Sequence, residues 1–304
     1  MAIAGAAAGA ALATVLVAPP ATAFPVDGPT RQCLQERIGA AATQRIVKAT
    51  RLTAAQRRHV AACRSGGGGG TSSPVVVWMS DGNGGWSASG RPPSCSGVAW
   101  SLPVDSLAGV ESVLDPGQVR GGRYKAHGGL RMADSATIVR SPIDGYIVSA
   151  AAYRETATGQ GGSGGEVQYL VDIQNPCGLA VRFDHLKVLD PTIARALAAV
   201  PVRDDSRTTQ ITPPVRVTRG QVLATSVGHT ETGVNPSFDF GAYDYRSRQY
   251  NRRSEAELRA FGPDGLLGLH ALCWLDLFGA GTGATLRALP RTSTEAAQGS
   301  DVCR

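Results

Sequence analysis

From residue 75 onward the chain is a succession of short β-branched runs, each cut off before it can become a helix. The runs 75–79, 138–140, 146–150, 167–173, 179–183, 221–226 and 237–243 are mostly bounded by Gly, Pro, Asp or Asn. Segments of that length and bounding read as strands. With 38 Gly and 18 Pro in 304 residues, turns and irregular segments should be frequent. A mainly β domain with long loops therefore fits better than a helical bundle. Asp144-Gly145, between two of the runs, is a hairpin signal. The glycine-rich stretch 159–165 lacks the Gly-Lys-Ser/Thr ending of a phosphate loop and reads as a hairpin tip. Residues 190–214 form a polar, Pro-containing insertion, with a short helix expected over 192–199.

The flanks read differently. Residues 3–18 are small and apolar, and Ala21-Thr22-Ala23 supplies a small-x-small cleavage pattern, so 1–23 is a signal-like segment. The run is too short to span a bilayer comfortably, since about 20 residues are needed. An exported protein (extracellular, periplasmic or lumenal) is expected. In 24–64, Leu34, Ile38, Ala41, Ile46 and Val47 recur at helical spacing, and Thr53 can cap a second helix over 54–63, giving a helical hairpin. Residues 65–73, with Gly66–Gly70 at their centre, form a flexible linker. The β-rich core then spans 74–289. Ser254-Glu255-Ala256-Glu257 is a capping-box pattern, Gly262-Pro263 is expected to end its helix, and 266–278 should pack on the core as a C-terminal helical extension. Residues 290–304 read as a tail, with Cys303 able to tie it down.

The six cysteines contain no C-x-x-C pair, which removes zinc-ribbon and thioredoxin readings. An even count behind a signal-like segment points to disulfides formed in an oxidising compartment. Spacing does not fix their connectivity; Cys33 with Cys63, and Cys177 with Cys273, are the pairs expected. The net charge of +6 comes almost wholly from arginine, since Lys48, Lys125 and Lys187 are the only lysines. It reads either as arginines scattered over a solvated surface or as attraction to an anionic partner. No dense basic run with interleaved aromatics appears, so nucleic acid is not favoured as a partner. Membrane contact would be peripheral at most.

The chemistry-bearing motifs come in order: His127-Gly-Gly-Leu-Arg131, Ser141-Pro-Ile-Asp-Gly-Tyr146, Phe183-Asp184-His185-Leu186, 217–226 and Ser237-Phe238-Asp239-Phe240. In that order they resemble the lysostaphin-type zinc endopeptidases that cut peptidoglycan cross-bridges. The resemblance covers about 120–245. It implies an antiparallel β-sandwich of the duplicated hybrid motif type, with a groove over one sheet. It also implies zinc held by the His and Asp of an H-x-G-x-D motif and by a His of an H-x-H motif, with further histidines activating water. Three protein ligands leave a fourth zinc position for water, whose pKa falls to about 7.

This chain departs from that pattern at several positions. His127 and Gly129 match the start of the first motif, but Arg131 stands where the carboxylate should be. A guanidinium stays protonated and has no lone pair to offer a metal. His185 matches the catalytic-His segment. The final H-x-H becomes Ser237-Phe238-Asp239, with Ser237 and Asp239 on one strand face and Phe238 and Phe240 on the other. The degenerate site is thus His127, Arg131, His185, Ser237 and Asp239. No cofactor is expected; the alternative is zinc on His127 and Asp239, with Asp134 as a replacement carboxylate. The expected arrangement is an Arg131–Asp239 ion pair in the emptied site, with His127 beside it and His185 vestigial or altered in role. Other single residues read as ordinary: His229 and His270 as satisfied polar groups, Asp144 as a turn residue, Asp204-Asp205 as solvated.

Residues 141–148 and 217–224 also resemble the halves of a biotinyl/lipoyl hairpin domain. No Lys occurs from 188 to 304, and none stands at the Asp144-Gly145 turn, so a carrier role does not follow. No Gly-x-Ser-x-Gly elbow or His-Glu-x-x-His motif occurs. The leading expectation is an exported, catalytically degenerate lysostaphin-like domain that binds peptidoglycan, another envelope polymer or a protein partner. The alternatives are an active zinc-dependent peptidoglycan hydrolase with an altered ligand set, and a structural envelope protein whose groove is filled by its own 190–214 insertion.

Overall fold

A computed structural model describes residues 30–31, 34–35, 38–49, 52–64, 75–156, 159–160, 165–228, 236–291 and 299–304. The signal-like segment and the Gly/Ser linker lie outside the described residues. The chain divides into two compact units, Met1–Pro74 and Val75–Arg304.

In the first unit, α1 (Ala40–Lys48) and α2 (Ala54–Arg64) are short helices. Ahead of α2, Thr53 Oγ1 accepts from the Gln56 amide while Gln56 Oε1 accepts from the Thr53 amide, a reciprocal cap. Leu34, Ile46, Leu52, Val60 and Cys63 form a small apolar cluster. Cys63 is disulfide-bonded; its expected partner Cys33 lies outside the described residues.

The second unit is mainly β. Its strands are β1 (Trp78–Ser80), β2 (Trp86–Ala88), β3 (Val110–Leu114), β4 (Gln118–Arg120), β5 (Arg123–Lys125), β6 (Gly128–Met132), β7 (Val139–Arg140), β8 (Gly145–Thr156), β9 (Gly159–Gln160), β10 (Glu166–Gln174), β11 (Leu179–Leu189), β12 (Val202–Arg203), β13 (Thr209–Val217), β14 (Val222–Val227) and β15 (Ser237–Asp244). The helices are α3 (Pro191–Ala196), α4 (Glu255–Arg259), α5 (Gly262–Leu267) and α6 (Ala280–Ala288). The large sheet runs β12-β8-β10-β11-β15-β6-β3, with β9 and β13 also on β8, and β14 joining β11 to β7. Its named-strand pairs are antiparallel except β12 with β8, so the sheet is mixed rather than purely antiparallel.

Alternation sorts the sheet into two chemically different faces. One face carries Leu130, Ile147, Ala150, Val171, Val181, Phe183, Phe238 and Phe240 into the main apolar core, where Trp274, Leu275 and Leu286 of the C-terminal extension close over it. The 190–214 insertion belongs to that side. Ile193, Leu197 and Val200 join the same core, so they do not fill the polar face. The opposite face carries Tyr153, Gln168, Asp172, Arg182, Asp184 and Asp239. Toward the Tyr243 end it is covered by a second apolar cluster of Trp78, Tyr124, Tyr245, Leu258, Leu266 and Leu269.

Several sequence expectations change here. Asp144-Gly145 is not a hairpin turn, because β7 pairs with β14 and not with β8. Asp144 Oδ1 instead accepts from the Arg219 amide, and a side chain at Gly145 would meet the Gln174 carbonyl at 2.6 Å. The glycine there serves a close backbone approach. The Ser254-capped helix stops at Arg259, just ahead of Gly262 at φ +69, and Gly262-Pro263 also opens α5, with Pro at the first turn where its missing N–H costs nothing. The Ser254 capping box forms as read.

The disulfides are Cys95–Cys177 and Cys273–Cys303, which replaces the expected Cys177–Cys273 pair. The cause lies in two long-range dockings. Trp78 is clipped to Gln174 through its own amide and carbonyl, which brings the 75–100 segment over the Cys177 turn. Ser300 Oγ donates to the Pro116 carbonyl, and that holds the chain end so that Cys303 meets Cys273. The Cys95–Cys177 bridge closes 82 residues of sequence, and a loop of that length is worth about 4 kcal/mol in chain entropy. The double variant Cys95→Ala/Cys177→Ala should lose a stability of that order in denaturant unfolding. No helix among the described residues is long and apolar enough to cross a membrane.

Candidate functional site

The site lies on the exposed part of the polar face. Its floor comes from register: Asp239 of β15 stands opposite Gly129 of β6 on one side and Asp184 of β11 on the other. Two carboxylates directly opposed across strands repel each other. The rest of the site supplies what offsets that repulsion.

A bulge supplies the first group. Val171 of β10 pairs with Phe183, but Tyr169 pairs with Leu186, so β11 carries one residue more than β10 between those pairs. The residue at the irregularity is His185, with φ +62, the one described non-glycine residue in the left-handed region. A bulge re-aims side chains that strict alternation would send to opposite faces. Here it places both Asp184 and His185 among the polar groups. His185 Nδ1 donates to Gln168 Oε1 at 2.7 Å, and Glu155 Oε2 lies 3.0 Å from the same nitrogen. His185 Nε2 is 3.8 Å from Asp239 Oδ2. The Tyr153 hydroxyl donates to Asp184 Oδ1 at 2.5 Å, and the His185 amide donates to that same oxygen at 2.8 Å.

His127 supplies the second. Its Nε2 lies 2.9 Å from Asp239 Oδ2, off the hydrogen-bond axis, so the contact is electrostatic rather than a directed hydrogen bond. Its carbonyl is held by Arg120 Nη2 at 3.2 Å. Beside it, Gly241 admits the Tyr243 ring: a Cβ there would collide with the Tyr243 hydroxyl and touch His127 Cβ at 3.0 Å. The four side chains His127, Asp239, His185 and Glu155 follow one another in that order, each within 3.8 Å of the next. They are 15%, 17%, 23% and 12% exposed, so solvent screens their mutual field only in part.

The proton affinities follow from that field. Burial disfavours a charged His185 ring, but Asp184, the hydrogen bond to Glu155, and Asp239 together outweigh it and push its pKa up to about 10. Burial also works against an ionised Asp239, yet His127, His185 and Arg120 hold its carboxyl well below the usual carboxylate range. Burial pushes the Asp184 carboxyl up; His185 pulls it down and Asp239 adds to the rise.

The structure corrects the expected replacement of metal by an Arg131–Asp239 ion pair. Arg131 stands opposite Ser237, and its Nε turns toward the neighbouring strand to meet Glu111 Oε2 at 3.3 Å. Glu111 lies where the β3–β6 pairing is irregular, between the Val110 and Ser112 pairs, and its carboxylate is there to receive the guanidinium. The partner of Asp239 is His127 instead. Asp134 is used locally, accepting from the Ala136 amide. Ser237 keeps its place on the strand, opposite Arg131, and His229 lies outside the described residues. His270 is buried and hydrogen-bonded to the Asp244, Ser247 and Gly84 carbonyls, in keeping with a satisfied polar residue. Sequence reasoning missed Glu155, Gln168 and Tyr153. They reach the site only through the β8–β10 register, which pairs Gln168 with Tyr153 and Glu166 with Glu155. Alternation on two strands whose pairing is unknown gives no such signal.

Zinc, which the motif resemblance implies, can be tested against this donor set. Asp184, His185 and Asp239 each offer a ligand-type atom, all within 4.8 Å of one another, the one such group among the described residues. Asp184 Oδ1 already accepts two hydrogen bonds, which leaves Oδ2 as its ligand atom, and His185 Nδ1 faces Gln168 and Glu155, which leaves Nε2. A hydrolytic zinc centre needs three ligands and a separate proton carrier. His127 stands beside Asp184, His185 and Asp239 as a further donor, 2.9 Å from Asp239 Oδ2. With His185 as a ligand, Glu155 beside it is the group placed to carry a proton; with His185 carrying the proton, the second oxygen of Asp184 would join His127 and Asp239. Asp184, His185 and Asp239 thus form a possible metal-binding group whose side chains are already engaged by protein partners.

No protein-family model matches the sequence. No curated protein matches it either. Among solved structures it is similar to the NMR solution structure of lysostaphin, with 17% identity over 43% of this chain and 41% of that chain and a TM-score of 0.26. The chain thus spans under half the length of that protein.

Proposed function

We propose that this protein is an exported, catalytically degenerate lysostaphin-like domain that binds a cell-envelope polymer or a protein partner through its polar face. The observation that carries the reading is the ion chain itself. Asp239 Oδ2 lies between two imidazoles, at 2.9 and 3.8 Å, in the place the motif order assigns to a metal. The disulfides agree with an oxidising compartment. The partly open polar face leaves donors and acceptors for a polar ligand.

The test pairs binding with turnover on purified peptidoglycan. Co-sedimentation should retain the full-length protein, and soluble fragment release should stay at the buffer level with added zinc. Zinc-dependent release lost in both His127→Ala and His185→Ala would instead establish the hydrolase reading.

A further inference from the structure

Beyond the cluster around Asp239, the arginines are not evenly spread. Three segments far apart in sequence meet on one surface: 117–125, 245–259 and 299–304. Hydrogen bonds fix their juxtaposition. Asn251 Nδ2 donates to the Tyr124 hydroxyl at 2.7 Å, the Arg252 amide to the Asp301 carbonyl at 2.7 Å, the Asp301 amide to the Gly117 carbonyl at 2.8 Å and the Gly117 amide to the Lys125 carbonyl at 2.8 Å. Apart from Arg120, which turns to the His127 carbonyl, these segments with the adjoining Asp244 hold eight Lys or Arg against four Asp or Glu, a net +4, and Asp244 is taken by Arg246.

The acids present do not neutralise the surface. Asp301 is taken by Arg253, and Glu255 is shared by Arg248 and Arg259. Arg123 and Arg252 are exposed and have no carboxylate partner among the described residues. Arg304 lies over the Tyr250 ring at 4.1 Å, which holds one more guanidinium at the surface. Like charges gathered on a folded surface repel unless an anion joins them, so this arrangement costs stability that a ligand would recover. Planar forks match phosphate oxygens better than point charges do.

We propose that this face is a docking surface for a phosphodiester polymer of the cell envelope, separate from the Asp239 cluster and independent of its chemistry. Nucleic acid fits less well. The one exposed aromatic ring here, Tyr250, is covered on a face by Arg304, while single-strand binders present free rings to bases. Disulfides also suit an oxidising compartment rather than one that holds nucleic acid.

The experiment measures binding of the full chain to lipid-free poly(glycerol phosphate) across a salt series. Polyglutamate and single- and double-stranded DNA serve as comparisons, and Arg123→Gln/Arg252→Gln as the variant. Both side chains are exposed and unpaired, so the variant should fold. Arg207→Gln/Arg216→Gln, at the β12–β13 loop and on β13, is the charge-matched control. The expected result is tightest binding to the phosphodiester polymer. The double variant should bind about 10-fold or more weakly, with the salt slope reduced by about 1.5–2, while the control binds like wild type. Binding unchanged in the double variant, lost equally in the control, absent at low salt, or tighter to DNA or polyglutamate would each overturn the proposal.

Discussion

Replacing His185 with glycine is expected to destabilise the Val75–Arg304 unit by about 3–5 kcal/mol, although glycine suits its backbone better. The residue stands at φ +62, where a non-glycine side chain is strained. If strain dominated, His185→Gly would stabilise the unit. The ring, however, is the cation among Glu155, Asp184 and Asp239, and removing it leaves three partly buried carboxylates around a gap. A loss of that size would lower the midpoint by roughly 10 °C for a unit of this length. Adding Asp239→Asn to His185→Gly removes one of the repelling carboxylates and should recover part of the loss, a coupling of about 1–3 kcal/mol. Thermal unfolding of the four proteins in that cycle decides the matter. A His185→Gly variant as stable as wild type would show that the ion chain is ornamental.

The second large effect is on pH. The folded pKa of His185 is raised from the ordinary 6.5 to about 10. Its contribution is therefore complete below about pH 6.5 and is lost as pH climbs through 10. Asp239 is shifted the other way: its contribution is present above the unfolded carboxylate range, about pH 4, and disappears in acid. Asp184, raised by burial, offsets part of the gain wherever it is forced to ionise. Stability should thus peak near pH 5–6.5 and fall by a few kcal/mol toward pH 10. Denaturant unfolding from pH 4 to 10.5 reads this directly. The gap between wild type and His185→Gly should narrow over the same alkaline range. A gap constant with pH would mean that the ring acts by packing and not by charge.

How far the sequence carried the reading depends on which residues are asked about. The strands rich in Val, Ile and Phe were legible because burial on one face imposes a period of two, and 167–173, 179–183 and 237–243 all fall inside observed strands. β3 and β6 were not legible. Val110–Leu114 and Gly128–Met132 mix Glu, Ser, Gly and Arg with their apolar positions, since one face of each lines or borders the polar site. His127, His185 and Asp239 were placed together by motif order, and they do converge. The partner assignment failed because it assumed that residues sharing a metal in the resembling family would pair with each other. Arg131 is long enough to reach the next strand, where it meets Glu111 at an irregular pairing. Glu155 and Gln168 depended on a register that no local pattern encodes.

Zinc stoichiometry of the protein, purified without chelator and then titrated with the ion by calorimetry near pH 7, tests the central claim most directly. With Arg131 in place of a carboxylate and turned to Glu111, far less than one zinc per chain and no saturable binding at micromolar concentration are expected. One tightly held zinc per chain, removable by chelator and lost in both His127→Ala and His185→Ala, would contradict it.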